Sequence, residues 1–196
     1  VSDFVNYFLS VIVPRTTDMI LVTVKKTETL EILIPLAVTM FLVQIYFGRN
    51  KNEQIGWNTA YANAIVLLFV TAHLASYVYN QFGLEGFYST GTVAFYKSVF
   101  VIGIGAVAIG LLFIDFFHSV NKKISFLLSH SIFITVISFV AIVLVYTDIP
   151  FDMDTLFTSL FILLFVSTFF WLFRWFIPPS ETAEKYVNRK KEERRR

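Results

Sequence analysis

Residues 93–117 read VAFYKSVFVIGIGAVAIGLLFIDFF, and this stretch decides the fold class. Its only charges are Lys97 near one end and Asp115 near the other. A helix that crosses a bilayer needs about 20 mostly apolar residues, and this run supplies them. Lipid offers no hydrogen bonds to the backbone, so only helices or closed barrels span it. A run of this length predicts a helix, and hence an all-α membrane protein.

Working outward, four further runs have the same character: roughly 30–47, 57–80, 124–147 and 155–177. Pro35 falls in the first turns of its run, where a missing N–H is best tolerated. Pro150 and Pro178-Pro179 mark the ends of the last two, and Asp154 or Thr155 is the expected N-cap of the fifth. The domain division is therefore an N-terminal segment 1–28, a five-helix transmembrane domain 29–179 and a charged tail 180–196. Residues 3–26 differ from the spans, because Pro14, Arg15 and Asp18 interrupt two short apolar stretches. Burying Arg15 and Asp18 mid-bilayer costs roughly 2.5–3.5 kcal/mol each. The expectation is one or two short amphipathic helices lying in the interface, with a sixth, kinked span as the alternative. No signal-peptide cleavage is expected, since Asp3 stands where a basic residue belongs and no small-residue site follows the apolar run.

Composition agrees. The chain has 196 residues, 56% hydrophobic and 15% charged, against roughly 25% charged in soluble domains. It contains no cysteine, which excludes disulfides, Cys-ligated metals and thiol catalysis. A net charge of +2 gives no reason to expect a nucleic-acid partner. The loops alternate in sign. Arg49 and Lys51, Lys122 and Lys123, and the basic tail are separated by connections carrying Glu85 and then Asp148, Asp152 and Asp154. The positive-inside rule predicts a multi-pass cell-membrane protein with a cytoplasmic C-terminus and, for five spans, an outside N-terminus. Lys25 and Lys26 dissent from this pattern.

Two sets of residues are functional candidates. Gly103, Gly105, Ala106, Ala108 and Gly110 give the third span a small-residue surface, the usual device for close helix packing in lipid. Either the helix packs inside one subunit, or Gly103, Ala106 and Gly110 meet other subunits around an axis, a texture similar to that of some mechanosensitive channels. The second set is ionisable: His73, Lys97, Asp115, His118, His130 and Arg174. Asp115 and His118 share a face at i, i+3, and with His130 they form a candidate metal or proton-relay set. The competing expectation pairs Asp115 with Arg174, Lys122 or Lys123. Lys97 is expected to snorkel or to pair with Glu31, and His73 to bond a neighbouring helix. No nucleophile elbow, P-loop, dinucleotide fingerprint, zincin or potassium-filter pattern is present, so no enzyme, cofactor or metal is expected.

Tyr46-Phe47-Gly48-Arg49 and Gly56-Trp57-Asn58-Thr59-Ala60 resemble uncharacterised polytopic membrane proteins of archaea. The resemblance implies an archaeal source and brings no activity with it. Read from the residues, Gly48 is a helix C-cap and Trp57 an interfacial anchor. The functional expectation is a homo-oligomeric channel or pore with residues 103–110 near its axis. The alternative is a structural or assembly subunit of a larger membrane complex, with lipid and other membrane subunits as partners. An intramembrane enzyme or proton-coupled carrier stands third.

Overall fold

Backbone groups in apolar surroundings must bond within their own segment, and this chain meets that demand with helices. The computed structural model describes residues 2–50, 53, 56–182, 184 and 185. Among them there is no strand, and six helices are long and apolar enough to cross a membrane. The elements are α1 (Ser2–Tyr7), α2 (Val13–Lys25), α3 (Thr27–Arg49), α4 (Trp57–Phe82), α5 (Val93–Phe117), α6 (Lys122–Leu128), α7 (Ser131–Tyr146) and α8 (Met153–Phe176). A π-turn at Phe8–Ile12 joins α1 to α2 without a break, and a 3-10 turn at Leu84–Phe87 lies between α4 and α5.

α7 is the central helix. Eleven of its 16 residues are buried, against four of 24 in α8. Leu33, Leu67, Leu74 and Val101 from α3, α4 and α5 pack with Ile134, Ile142 and Val145 on one side of it. Met19 of α2 and Ile162 and Phe170 of α8 pack with Ile132, Val136 and Val143 on another. Large apolar side chains such as Phe69, Phe113, Leu164 and Phe165 stay exposed around the outside, as a lipid-facing surface requires. α4 and α5 pack through small residues: Ala60, Ala64 and Ala108 are fully buried, and a Cβ on Gly105 would lie 3.0 Å from Thr71 Cγ2.

Several boundaries depart from the sequence reading. α3 starts at Thr27, so Pro35 is interior rather than in the first turns. Gly48 lies inside α3, and Asn50 is the C-cap. What Gly48 provides is close approach: a Cβ there would meet Ile177 Cδ1 at 2.6 Å. Beyond it, Ser180 N–H donates to the Arg49 carbonyl at 2.8 Å, tying the segment after Pro178-Pro179 to the end of α3. α8 starts earlier than expected, because Asp152, not Asp154 or Thr155, accepts the Thr155 N–H at 2.8 Å. That N–H is the main reason the Asp152 carboxyl is held below its ordinary range, with Arg15 adding to it. The run expected to be one helix over 124–147 is two, α6 and α7, separated at Ser129-His130. In the tail, residues 181, 182, 184 and 185 are helical, and 186–196 lie outside the described residues.

The N-terminal segment, expected as short pieces, is one rod from Asp3 to Lys25. Ile12, Met19 and Thr23 are buried on one face, while Pro14, Thr17, Asp18 and Lys25 are exposed on the opposite one. Its polar contacts are spread along its whole length. The Tyr7 hydroxyl donates to Asp154 Oδ1 (2.6 Å), Arg15 pairs with Asp152 (3.2 Å), and Lys26 Nζ just beyond it donates to the Tyr146 carbonyl (2.5 Å). All three partners lie at the same end of the bundle, where α7 ends and α8 begins.

The α4–α5 contact makes a direct test of this packing. Gly105→Leu overfills it and is expected to lower stability in detergent by about 1–3 kcal/mol. Gly110→Leu enters open space and is expected to change stability by less than about 1 kcal/mol. Thermal melting monitored by tryptophan fluorescence reads both, and equal losses would contradict the packing described.

Candidate functional site

The polar side chains of the bundle collect at the two ends of α7. At the acidic-loop end its last carbonyls lack helical partners. Lys97 Nζ, on α5 and buried, donates to Thr147 O at 2.9 Å, beside the Lys26–Tyr146 contact. Two ammonium groups therefore sit at a helix C-terminus, where the macrodipole favours positive charge. Lys97 neither snorkels nor pairs with Glu31. Close by, His73 Nε2 is 2.9 Å from the Tyr146 hydroxyl, the inter-helix bond expected of it, and Tyr77 stacks on the Tyr146 ring at 3.8 Å.

At the basic-loop end, side chains of three helices hold the break between α6 and α7, and a fourth helix joins them through Gln44. Asp115 of α5, 2% exposed, accepts from the Ser125 hydroxyl through one oxygen and from the Ser129 hydroxyl (2.6 Å) through the other. Ser125 and Ser129 stand four residues apart, one helical turn, so a single carboxylate spans both. Asn63 Nδ2 of α4 donates to the freed Ser129 carbonyl at 2.7 Å. Gln44 of α3 donates to the Ser131 hydroxyl at 3.0 Å and accepts from Arg174 of α8. His130 caps α7, its Nδ1 accepting the Ile132 N–H at 3.3 Å. A ring nitrogen that accepts carries no proton, so the ring hydrogen of the neutral form sits on Nε2, which becomes a donor.

Asp115 is thus held by serines, and the expected pairing with Arg174, Lys122 or Lys123 does not occur. Nor do Asp115, His118 and His130 form a metal set. His118 is the left-handed C-cap of α5 and its ring meets Trp57 edge-on at 4.1 Å. Among the described residues no group of three His, Asp or Glu is arranged to hold a metal ion. Of the small residues, Gly105 faces α4, whereas Gly103 and Gly110 have open space where a Cβ would stand and Ala106 is exposed.

The network around the break is closed except on one side. Arg174 has no carboxylate partner among the described residues, and its buried Nε finds no acceptor. Arg174 and His130 line a cavity of about 670 Å³ at the basic-loop end, together with Lys123, Glu53, Trp171 and Trp175. Glu53 is engaged by the Tyr46 hydroxyl at 2.6 Å. Against this one carboxylate, the described residues turn a guanidinium, an ammonium and an imidazole toward the space, so donors and positive charge outnumber it. Such a set matches an anion. Sequence reasoning missed the break and the roles of Gln44, Ser125 and Ser129. The available signal was the run Ser129-His130-Ser131 in the middle of an apolar stretch.

No family model, no curated protein and no solved structure matches this chain.

Both ends of α7 are testable by truncation of their partners. Lys97→Met keeps the stem but leaves the Thr147 carbonyl without its donor, and a loss of about 1.5–3 kcal/mol is expected. Asp115→Ala and Ser129→Ala should each destabilise, and their double mutant should lose less than the sum. Additive losses in a double-mutant cycle would show that the two groups act independently.

Proposed function

We propose that the chain is a non-catalytic multi-pass protein of the cell membrane that holds an anionic ligand at the α6–α7 break, in the manner of a membrane carrier. The observation that carries this reading is the break itself. It interrupts a bilayer-length run, is held by side chains from three other helices with Arg174 of a fourth bonded to Gln44, and turns more cationic N–H donors than acidic groups toward a cavity. In secondary transporters a half-helix N-terminus turned to an anionic group recurs near the bilayer midplane; here the same device stands toward the basic-loop end of the run.

In this proposal the chain crosses five times. The basic-loop end and C-terminus are cytoplasmic, the N-terminus is outside, and the Asp3–Lys25 rod lies in the outer interface. The contacts of the rod support this placement over a sixth crossing. A rod along the membrane normal would separate Tyr7 from Lys26 by 19 residues of rise, about 28 Å. Their partners instead sit on the one short connection that ends α7 and begins α8. The polar face of the rod, opposite its buried face, then meets water and headgroups. The likeness of residues 46–60 to archaeal membrane proteins supports an archaeal source.

A second reading has one observation in its favour. The Gly103, Ala106 and Gly110 face is uncovered by the rest of the chain. A second copy packed there would give a homo-oligomeric channel, and a different subunit would give an assembly role.

Two experiments test the proposal. The chain has no native cysteine, so single cysteines report topology cleanly. A membrane-impermeant maleimide applied outside intact cells is expected to label Asn6→Cys and Ser89→Cys but not Lys122→Cys. Protection of position 6 alone would establish a sixth crossing. For the ligand, small molecules released by denaturing the purified protein are identified by mass spectrometry. A near-stoichiometric anion is expected from the wild type and a depleted one from Arg174→Gln. A wild type that releases none, found in purification as a ring of copies, would overturn the carrier reading in favour of the channel.

A further inference from the structure

Resting on the anion-binding reading, we propose that the ligand is an anionic phospholipid of the leaflet at the basic-loop end, its phosphate at His130, Arg174 and Lys123 and one hydrocarbon chain in the groove above them. The donor cavity does not end at the polar groups. A second space of about 350 Å³ shares Leu127, His130, Trp171 and Arg174 with it and continues along α7 and α8 past Ile132, Phe133, Leu163 and Leu164. Above the donors its wall is apolar apart from Ser167.

Length and openness argue for an amphiphile over a free anion. From Arg174 to Leu163 is 11 residues, about 16 Å of helix, and half of a bilayer's hydrocarbon thickness is about 15 Å. The groove therefore has the depth of one leaflet, with its charge at the headgroup level. Leu164 and Trp171 are 60% and 72% exposed, so the groove opens sideways to lipid. Trp171 and Trp175 flank the donors, at the level indole rings prefer. A soluble anion would use the donors and leave the apolar wall empty; a phospholipid uses both. Arg174, partly buried and in ion-pair contact with no carboxylate among the described residues, gains a counter-charge in the phosphate.

The test uses the full-length protein carrying Trp57→Phe, so that Trp171 and Trp175 report alone. It is held in neutral mixed micelles and titrated with phosphatidylglycerol whose acyl chains are dibrominated, which quenches tryptophan on contact. Phosphatidylcholine with the same chains is the comparison. Phosphatidylglycerol is expected to bind about fivefold more tightly. Arg174→Gln should bring that ratio close to one. Lys123→Gln, exposed on the rim and outside the packed network, should reduce it with the fold intact. Equal binding of the two lipids, or a preference unchanged in both variants, would overturn the proposal. Displacement of brominated phosphatidylglycerol by millimolar inorganic phosphate would identify a soluble anion as the ligand, ending the lipid assignment while leaving the anion site. Release of no anion of any kind from the wild-type protein would instead end the reading on which both rest.

Discussion

The structure depends on a mismatch of length. α7 has 16 residues, about 24 Å of rise, and the hydrocarbon core of a bilayer is about 30 Å thick. A central helix that short, buried on nearly every side, cannot rely on water for the groups at its ends. The last carbonyls and first N–H groups of any helix have no partners of their own, and orphaning them in lipid costs several kcal/mol each. The neighbouring helices must therefore bring polar side chains to both ends of α7. Lys26 and Lys97 serve the carbonyls at its C-terminal end; at the other end His130 accepts the Ile132 N–H, Gln44 bonds the Ser131 hydroxyl, and Asn63 and Asp115 hold the adjoining end of α6.

That requirement reorders the meaning of the polar residues. An intramembrane charge invites a functional reading, because its burial is expensive. Here the expense of Lys97 and Asp115 is accounted for by backbone and hydroxyl groups that would otherwise be unpaired. Arg174 is different. Its bond to Gln44 continues the same network, but Nε is left over and no carboxylate among the described residues pairs with the guanidinium. A residue that a structural role does not exhaust is a better functional candidate than one that it does. By this criterion Arg174 and His130 rank above Asp115 and His118.

The sequence carried the architecture well because hydropathy over 20 residues is a strong local signal. α5 has the predicted bounds, and α4 and α8 differ by a residue or two at their ends. The small-residue face of α5 was legible too, but which half faces inward was not. Gly105 and Ala108 turn to α4 because Thr71, Ala64 and Ala60 offer a matching shallow surface, a fact of pairing rather than of spacing. The α6–α7 break was lost for a similar reason. Three polar residues, Ser129, His130 and Ser131, barely lower the hydropathy of a long window, and serine is tolerated inside membrane helices by bonding its own backbone. What satisfies the polar groups at the break is a set of distant partners, Asp115 and Asn63 above all, and distance in sequence hides them. Gln44 illustrates the limit: nothing near it in the chain marks it as the bridge between Ser131 and Arg174.

The N-terminal rod carries the same lesson in reverse. Its length and hydropathy equal those of a membrane span, and composition alone would count it as one. Depth, however, is set by partners. Helix rise fixes how far apart two residues of a rod must be, so contacts spread along the rod report its direction. Three such contacts, from Tyr7, Arg15 and Lys26, meet groups between Tyr146 and Asp154. Polar bonds of this kind are worth little singly at an exposed surface. Their value here is geometric. They cannot all form if the rod stands upright beside α8, and they form together if it lies across the ends of α7 and α8. The proposed interfacial placement follows from that incompatibility, and it puts Lys25 and Lys26, the residues that dissent from the charge rule, at the end of α7 whose carbonyls need a cation.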